Sequence, residues 1–190
     1  MIASRTLSIP AAQVLNCDRH TDKRGYLQEI YNAIDFTQVT GTSIPVRQVN
    51  HTFSHAGVLR GIHIQLGREQ GKLVRVLEGR IFDVAVDLRA ESPNFGKWAG
   101  VELDADSGEE LWVPPGFGHG FLVLGKQPAS VLYLMTCERK TAMERSVCWN
   151  DPSLGIAWPL SDAPILSDRD LTAGKLSALL DELRAEARPA

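Results

Sequence analysis

The chain has 190 residues, 44% hydrophobic and 23% charged, with 20 basic and 23 acidic side chains for a net charge of −3. These values fit one globular domain over residues 1–190 and exclude disorder, collagen-like repeats and coiled coil. The acidic balance argues against a nucleic-acid partner but leaves room for a locally basic pocket that takes a small phosphorylated ligand.

A chain of this length buries roughly 70% of its unfolded surface, so a core forms without disulfides or a structural metal. No apolar run approaches the roughly 20 residues that span a bilayer, and no membrane partner is expected. The start, Met1-Ile-Ala-Ser-Arg, has no leader pattern, and Cys17, Cys137 and Cys148 are widely spaced. Reduced thiols in a cytoplasm fit that usage.

Along the chain, short runs rich in β-branched and aromatic residues predict strands at 27–31, 47–54, 61–65, 72–78, 81–88, 97–103, 110–113, 119–124 and 130–136. Turn residues punctuate them: Glu78-Gly79-Arg80, Ser92-Pro93-Asn94, Ser107-Gly108 and Pro114-Pro115-Gly116. A short helix is expected over 34–39. Leu176, Leu179, Leu180 and Leu183 at helical spacing predict a C-terminal amphipathic helix over 174–187. Many short strands and few helices indicate an all-β sandwich or barrel of the jelly-roll kind.

Strand alternation puts residues two apart on one face, so Gln48 pairs with Asn50, and Val131, Tyr133 and Met135 go together. Arg60, His63, Gln65 and Lys72 follow in neighbouring runs. If these faces line the barrel, polar groups that cost several kcal/mol each to bury unpaired are gathered where a ligand can satisfy them. In the other register the same set faces solvent. The run Gly108-x5-Pro114-x-Gly116-x2-His119 resembles the second cupin motif. The first motif would carry two histidines and a glutamate, and here reads His63-Ile64-Gln65 then Glu69. His63, Glu69 and His119 still count as a facial triad, but Gln65 is a poor substitute for a metal-binding imidazole. No metal is the preferred reading.

Taken together, the motifs resemble the dTDP-4-dehydrorhamnose 3,5-epimerases, metal-free cupins acting on nucleotide-linked 4-keto sugars. The matching pieces are Asp22-Lys-Arg-Gly25, Gln48-Val-Asn50, Gly57-Val-Leu-Arg-Gly-Ile-His-Ile-Gln65, Gln70-Gly-Lys-Leu-Val-Arg75 and Phe82-Asp-Val-Ala-Val-Asp-Leu-Arg89. Further along come Ser92-Pro-Asn-Phe-Gly-Lys-Trp98, Pro114-Pro-Gly-Phe-Gly-His-Gly-Phe121, Trp149-Asn-Asp-Pro152 and Leu166-Ser-Asp-Arg-Asp170. The resemblance implies a cupin-type jelly roll with a few peripheral helices, a homodimer, no cofactor, and a nucleotide-sugar substrate. It assigns His63 as base, Asp170 as the carboxylate that fixes its tautomer, Lys72 as the enolate stabiliser and Tyr133 as the returning acid. By the same match Arg24, Arg60 and His119 contact the diphosphate, and Gln48 and Asn50 the nucleoside. Glu29, Glu144 and Arg169 line the substrate site. Trp98, Trp149 and Trp158 are expected to pack rather than bind.

Two departures stand out. Members that act at both carbons often read Tyr-Lys-Thr followed by a Tyr-Tyr pair, where this chain has Tyr133-Leu-Met and then Glu138-Arg139. Ile64 also replaces a common tyrosine. Epimerisation of one carbon only is therefore the alternative within the family. Outside it stand a metal-dependent cupin oxygenase and a sugar-nucleotide binding protein without catalysis.

Overall fold

The computed structural model describes residues 2–186. Its strands are β1 (Ile2–Thr6), β2 (Gln13–Cys17), β3 (Arg19–Asp22), β4 (Gly25–Gln28), β5 (Gln48–Ser54), β6 (Leu59–Gln65) and β7 (Lys72–Glu78). They continue as β8 (Arg80–Asp87), β9 (Trp98–Asp104), β10 (Glu109–Val113), β11 (Phe117–Val123), β12 (Ala129–Met135) and β13 (Glu144–Ser146). Helices are α1 (Ala33–Thr40), α2 (Asp168–Leu171) and α3 (Leu176–Glu186). Two antiparallel sheets face each other: β1-β2-β10-β7-β12-β5 and β13-β6-β11-β8-β9. The pair β3–β4 stands apart as a hairpin.

Alternation explains which side chains meet between the sheets. Val74, Val76, Leu111, Val113, Val131, Tyr133 and Met135 point inward from the six-stranded sheet, against Ile81, Ala85, Val101, Leu103, Phe117 and Phe121 from the five-stranded one. The opposite parity on the six-stranded sheet, Leu15, Leu73, Trp112 and Leu134, is covered by Phe36 of α1, whose ring meets Trp112 edge-on at 4.9 Å. Helix α1 starts where Asn32 Oδ1 accepts from the Ile34 amide (3.0 Å) and ends at Gly41, in the left-handed conformation. On the five-stranded sheet, Ile62, Ile64, Val84 and Val86 are covered by Leu176 and Leu179 of α3, with Trp98 and Trp158 packed around Phe82. The Trp149 carbonyl accepts from Trp158 Nε1 at 2.8 Å.

The polar faces are therefore interior. Tyr133 pairs with Asn50 and Val74, and Met135 with Gln48 and Lys72, all in the six-stranded sheet. The expected strands at 47–54, 61–65, 72–78 and on to 130–136 match β5 to β12 within about two residues. The strand at 27–31 is a correction. Pairing ends at Gln28, because Asn32 caps the next helix and residues 29–31 lead into it. Sequence reading also missed β1, β2, β3, β13 and α2. Of the C-terminal helix, Ala187 lies outside the described residues.

Candidate active site

The paired strands β6 and β11 approach each other so closely at Gly61 and Gly120 that only glycine fits there. A Cβ on Gly61 would lie 2.5 Å from Gly120 Cα and 2.7 Å from the His119 carbonyl oxygen. The pairing register slips between His119 and Phe121 at this point. Because of that slip, Arg60 and His63, three residues apart, both line one pocket of about 250 Å³ between the sheets. Asn50, Thr52, Gln70, Lys72, His119, Phe121, Tyr133, Met135, Arg139, Glu144 and Arg169 complete its lining. A larger hollow of about 490 Å³, bounded by Gly57, residues 122–126 and Ile165, brings only Lys126 and Asp162 as charged groups. The chemistry therefore belongs to the smaller pocket.

His63 Nε2 meets Asp170 Oδ1 at 2.5 Å, with the Asp170 side chain only 3% exposed and that of His63 27%. Ser167 caps α2 and donates its hydroxyl to Asp170 Oδ2 at 2.9 Å, which fixes the carboxylate. Burial pulls the Asp170 pKa upward, but the bonds from His63, Ser167 and the Gly61 backbone outweigh it and hold the group below the usual carboxylate range. With Nε2 committed to Asp170, Nδ1 is the ring nitrogen left for a ligand.

His119 lies opposite His63 on the neighbouring strand and is 5% exposed. Its Nε2 meets Asp83 Oδ1 at 2.7 Å, and its ring stands edge-on to Tyr133 at 5.8 Å. Burial lowers its pKa against the opposing pull of Asp83. Lys72 opens β7 on the facing sheet. Desolvation lowers its pKa to about 8, partly offset by Glu144 and Asp83. The Tyr133 phenol is pushed well above its ordinary value by burial, and Thr52 Oγ1 donates to its hydroxyl at 3.5 Å.

At the rim, Glu144 accepts from Arg139 Nε (2.8 Å) and Nη2 (2.9 Å) and from Arg169 Nη1 (2.7 Å). Burial raises the Glu144 pKa, yet the two guanidiniums bring it down to about 2. Arg60 is oriented by Ser54 Oγ, to which its Nε donates at 3.0 Å.

Of the residues expected at a site, His63, Lys72, Tyr133, Asn50, Arg60, His119, Glu144 and Arg169 line the pocket, and Asp170 stands directly behind His63. Gln48 does not line it. Its Nε2 donates to Asn50 Oδ1 and its Oε1 accepts the Arg139 amide, each at 2.8 Å. Arg24 sits at the tip of the β3–β4 hairpin, 83% exposed and paired with Asp22, and Glu29 lies beyond that hairpin near Asn32. Neither Arg24 nor Glu29 lines the pocket within this chain.

Sequence reading missed Asp83, although an aspartate between Ile81 and Ala85 on an inward strand face was a readable signal. It noticed Arg139 only as a departure. Among the described residues, no three His, Cys, Asp or Glu side chains gather to hold a metal. Glu69 lines a separate hollow with Arg89 and Gly116, so the set His63, Glu69, His119 is not assembled.

Three comparisons bear on this arrangement. Residues 6–178 match the family model described as dTDP-4-dehydrorhamnose 3,5-epimerase. A protein of that name from Salmonella typhimurium is 45% identical over 184 residues, covering 96% of this chain and all of the relative. Among solved structures, the dTDP-6-deoxy-D-glucose-3,5-epimerase of Legionella pneumophila, in complex with dTDP-4-keto-L-rhamnose, superposes with a TM-score of 0.93 at 37% identity. That match covers 96% of this chain and 97% of the other. A 3'-monoepimerase from Streptomyces bikiniensis, bound to dTDP-quinovose, gives a TM-score of 0.86 at 39% identity, covering 95% and 90%.

Proposed function

The chain belongs to the dTDP-4-dehydrorhamnose 3,5-epimerase family, and we propose that it inverts carbons 3 and 5 of dTDP-4-keto-6-deoxyglucose, as one cupin-type domain without a cofactor. One observation carries this reading: the dyad His63–Asp170 comes from the five-stranded side of the pocket, and Tyr133 and Lys72 from the six-stranded side. A sugar ring held between the sheets offers opposite faces to base and acid, which is what inversion requires.

His63 Nδ1 removes the proton beside the ketone, and Asp170 stabilises the imidazolium that forms. The electron pair moves onto the ketone oxygen, where protonated Lys72 meets the enolate charge. Tyr133 then returns a proton from the other face, with its high pKa keeping the phenol protonated until that step. Buried His119 belongs by position with these proton-transfer groups. Arg60, Arg169 and Asn50 bind the substrate, with Glu144 orienting the Arg169 guanidinium and Ser54 that of Arg60.

The family relation and the placement of Arg24 favour a homodimer. The exposed hairpin tip would complete the pocket of a second copy, bringing Arg24 and Glu29 to a substrate they do not reach within their own chain. The outer face beside β5 leaves Val49 and Phe53 exposed for such a contact. The described residues hold no helix long and apolar enough to cross a membrane, and Cys17, Cys137 and Cys148 are free thiols. A cytoplasmic enzyme of deoxysugar synthesis fits both features.

The test is proton NMR of dTDP-4-keto-6-deoxyglucose with the protein in deuterated water. Loss of the signals at carbons 3 and 5, with appearance of the rhamno ketone, is expected. Loss of one signal alone makes this a mono-epimerase, the reading favoured by the Glu138-Arg139 departure. No exchange at either carbon overturns both. His63→Ala should slow turnover roughly 10²–10⁴-fold. Tyr133→Phe should retain exchange from the base side while losing inversion.

A further inference from the structure

Residue 139 is held in place by more than its own ion pair. Gln48 Oε1 accepts the Arg139 amide at 2.8 Å. On either side, Gln65 Nε2 donates to the Glu138 carbonyl at 3.3 Å and Gln65 Oε1 accepts the Lys140 amide at 2.7 Å. Two side-chain amides from two different sheets thus fix three successive residues. Gln65 Nε2 reaches the Arg68 carbonyl (2.9 Å) and Cys137 Sγ (3.3 Å) as well, so its polar atoms are satisfied within the protein. The Arg139 side chain, half-exposed on the pocket rim, places Nε and Nη2 on Glu144. Nη1 has no partner among the described residues.

An exposed ion pair by itself is worth little and needs no such bracket. Preorganised backbone under a charged side chain is what a binding contact requires. Charge supports the same view. Arg60, Lys72, Arg139 and Arg169 line the pocket against a single lining carboxylate, Glu144, in a protein whose net charge is −3. The proton-transfer groups occupy the floor, so the rim faces the part of the substrate that does not react.

Resting on the epimerase reading, we propose that Arg139 is a substrate-binding residue, giving the free edge of its guanidinium to the diphosphate of the nucleotide sugar. The contact is charge-assisted, where the resemblance to the family implies an aromatic pair. Its effect is on binding and not on the chemical step.

The experiment compares Arg139→Met, Arg139→Lys and Arg139→Tyr by calorimetric titration with dTDP and by steady-state kinetics, with thermal unfolding as a check on folding. Arg139→Met should raise the dTDP Kd and the KM by about tenfold or more, with kcat within about twofold. Arg139→Lys should stay within about threefold of the parent, and the parent's Kd should rise more steeply with salt than that of Arg139→Met. A Kd unchanged in Arg139→Met overturns the proposal. So does recovery of the parent's affinity by Arg139→Tyr, which would mean stacking on the base. The titration reads binding without turnover. A tenfold loss in Arg139→Met therefore supports the contact even if no sugar proton exchanges, a result that would sink the epimerase reading alone.

Discussion

At the scale of single residues, the two carboxylate-paired histidines of the pocket differ in what their partners leave them free to do. His119 is desolvated on the pocket floor and its pKa lies below the usual value, whereas His63 is partly exposed with one ring nitrogen open to the pocket. That difference supports His63 as the proposed base. Lys72 is the cation of the pocket whose charge is weakened by burial. With its pKa lowered to about 8, it is mostly protonated at neutral pH and loses its charge as pH rises through that value. Since kcat/KM reports the free enzyme, it should fall on the alkaline side with an apparent pKa near 8. In Lys72→Arg, whose guanidinium stays charged, that limb should move beyond the measurable range even if the rate drops. A limb that stays near 8 in this variant would assign it to another group.

At the scale of elements, the site depends on how closely β6 and β11 approach each other. Gly61 lies at φ 120°, and any Cβ there runs into the backbone of Gly120 and His119. The same close approach carries the slip in pairing that brings Arg60 and His63 to one pocket. Gly61→Ala should therefore cost more than ordinary overpacking, which runs to about 1–3 kcal/mol. In a chain of this size each kcal/mol lowers Tm by about 2–4 °C. Thermal unfolding measures the loss, and an unchanged Tm would show that the strands can separate without penalty. Alanine at Gly57, which has nothing within 4 Å of its Cβ position but a φ of +74°, is a milder control.

At the scale of the whole molecule, the outer face of the six-stranded sheet holds the features the pocket does not use. Glu110 is buried there with neither carboxylate oxygen bonded, close enough to Arg75 to feel its charge. Burial raises its pKa to about 8 from 4.5, and Arg75 offsets this only in part. Between those values the native state binds the extra proton. The stabilising contribution is full below about 4.5 and is lost as pH rises through about 8. Glu110→Gln should raise Tm at pH 8 by several degrees more than at pH 5. Equal shifts at both would mean that the carboxyl is already ionised in the native state. On the same face, Val49 and Phe53 of β5 and Leu77 of β7 are exposed. Phe53→Asp with Leu77→Asp should convert a dimer to monomers in sedimentation velocity, and a parent that sediments as a monomer would rule the dimer out.

The sequence by itself determined the strand pattern from β5 to β12 and both longer helices, while the proton-transfer roles proposed for His63, Asp170, Lys72 and Tyr133 came from resemblance to the family. The elements rest on local chemistry: β-branched runs between turn residues and leucines at helical spacing. The weak strands escaped because they are defined by their partners. β1 and β3 are polar runs given order by β2 and β4, and β13 is three residues paired along β6. Only the tertiary structure decided which face of β5, β7 and β12 looks inward, because alternation fixes parity and not direction. It alone paired His119 with Asp83, placed Gln65 and Gln48 under residue 139, and left Arg24 outside the pocket. Those are contacts between residues far apart in the chain, and they follow from sheet register and close strand approach, which no local run of residues encodes.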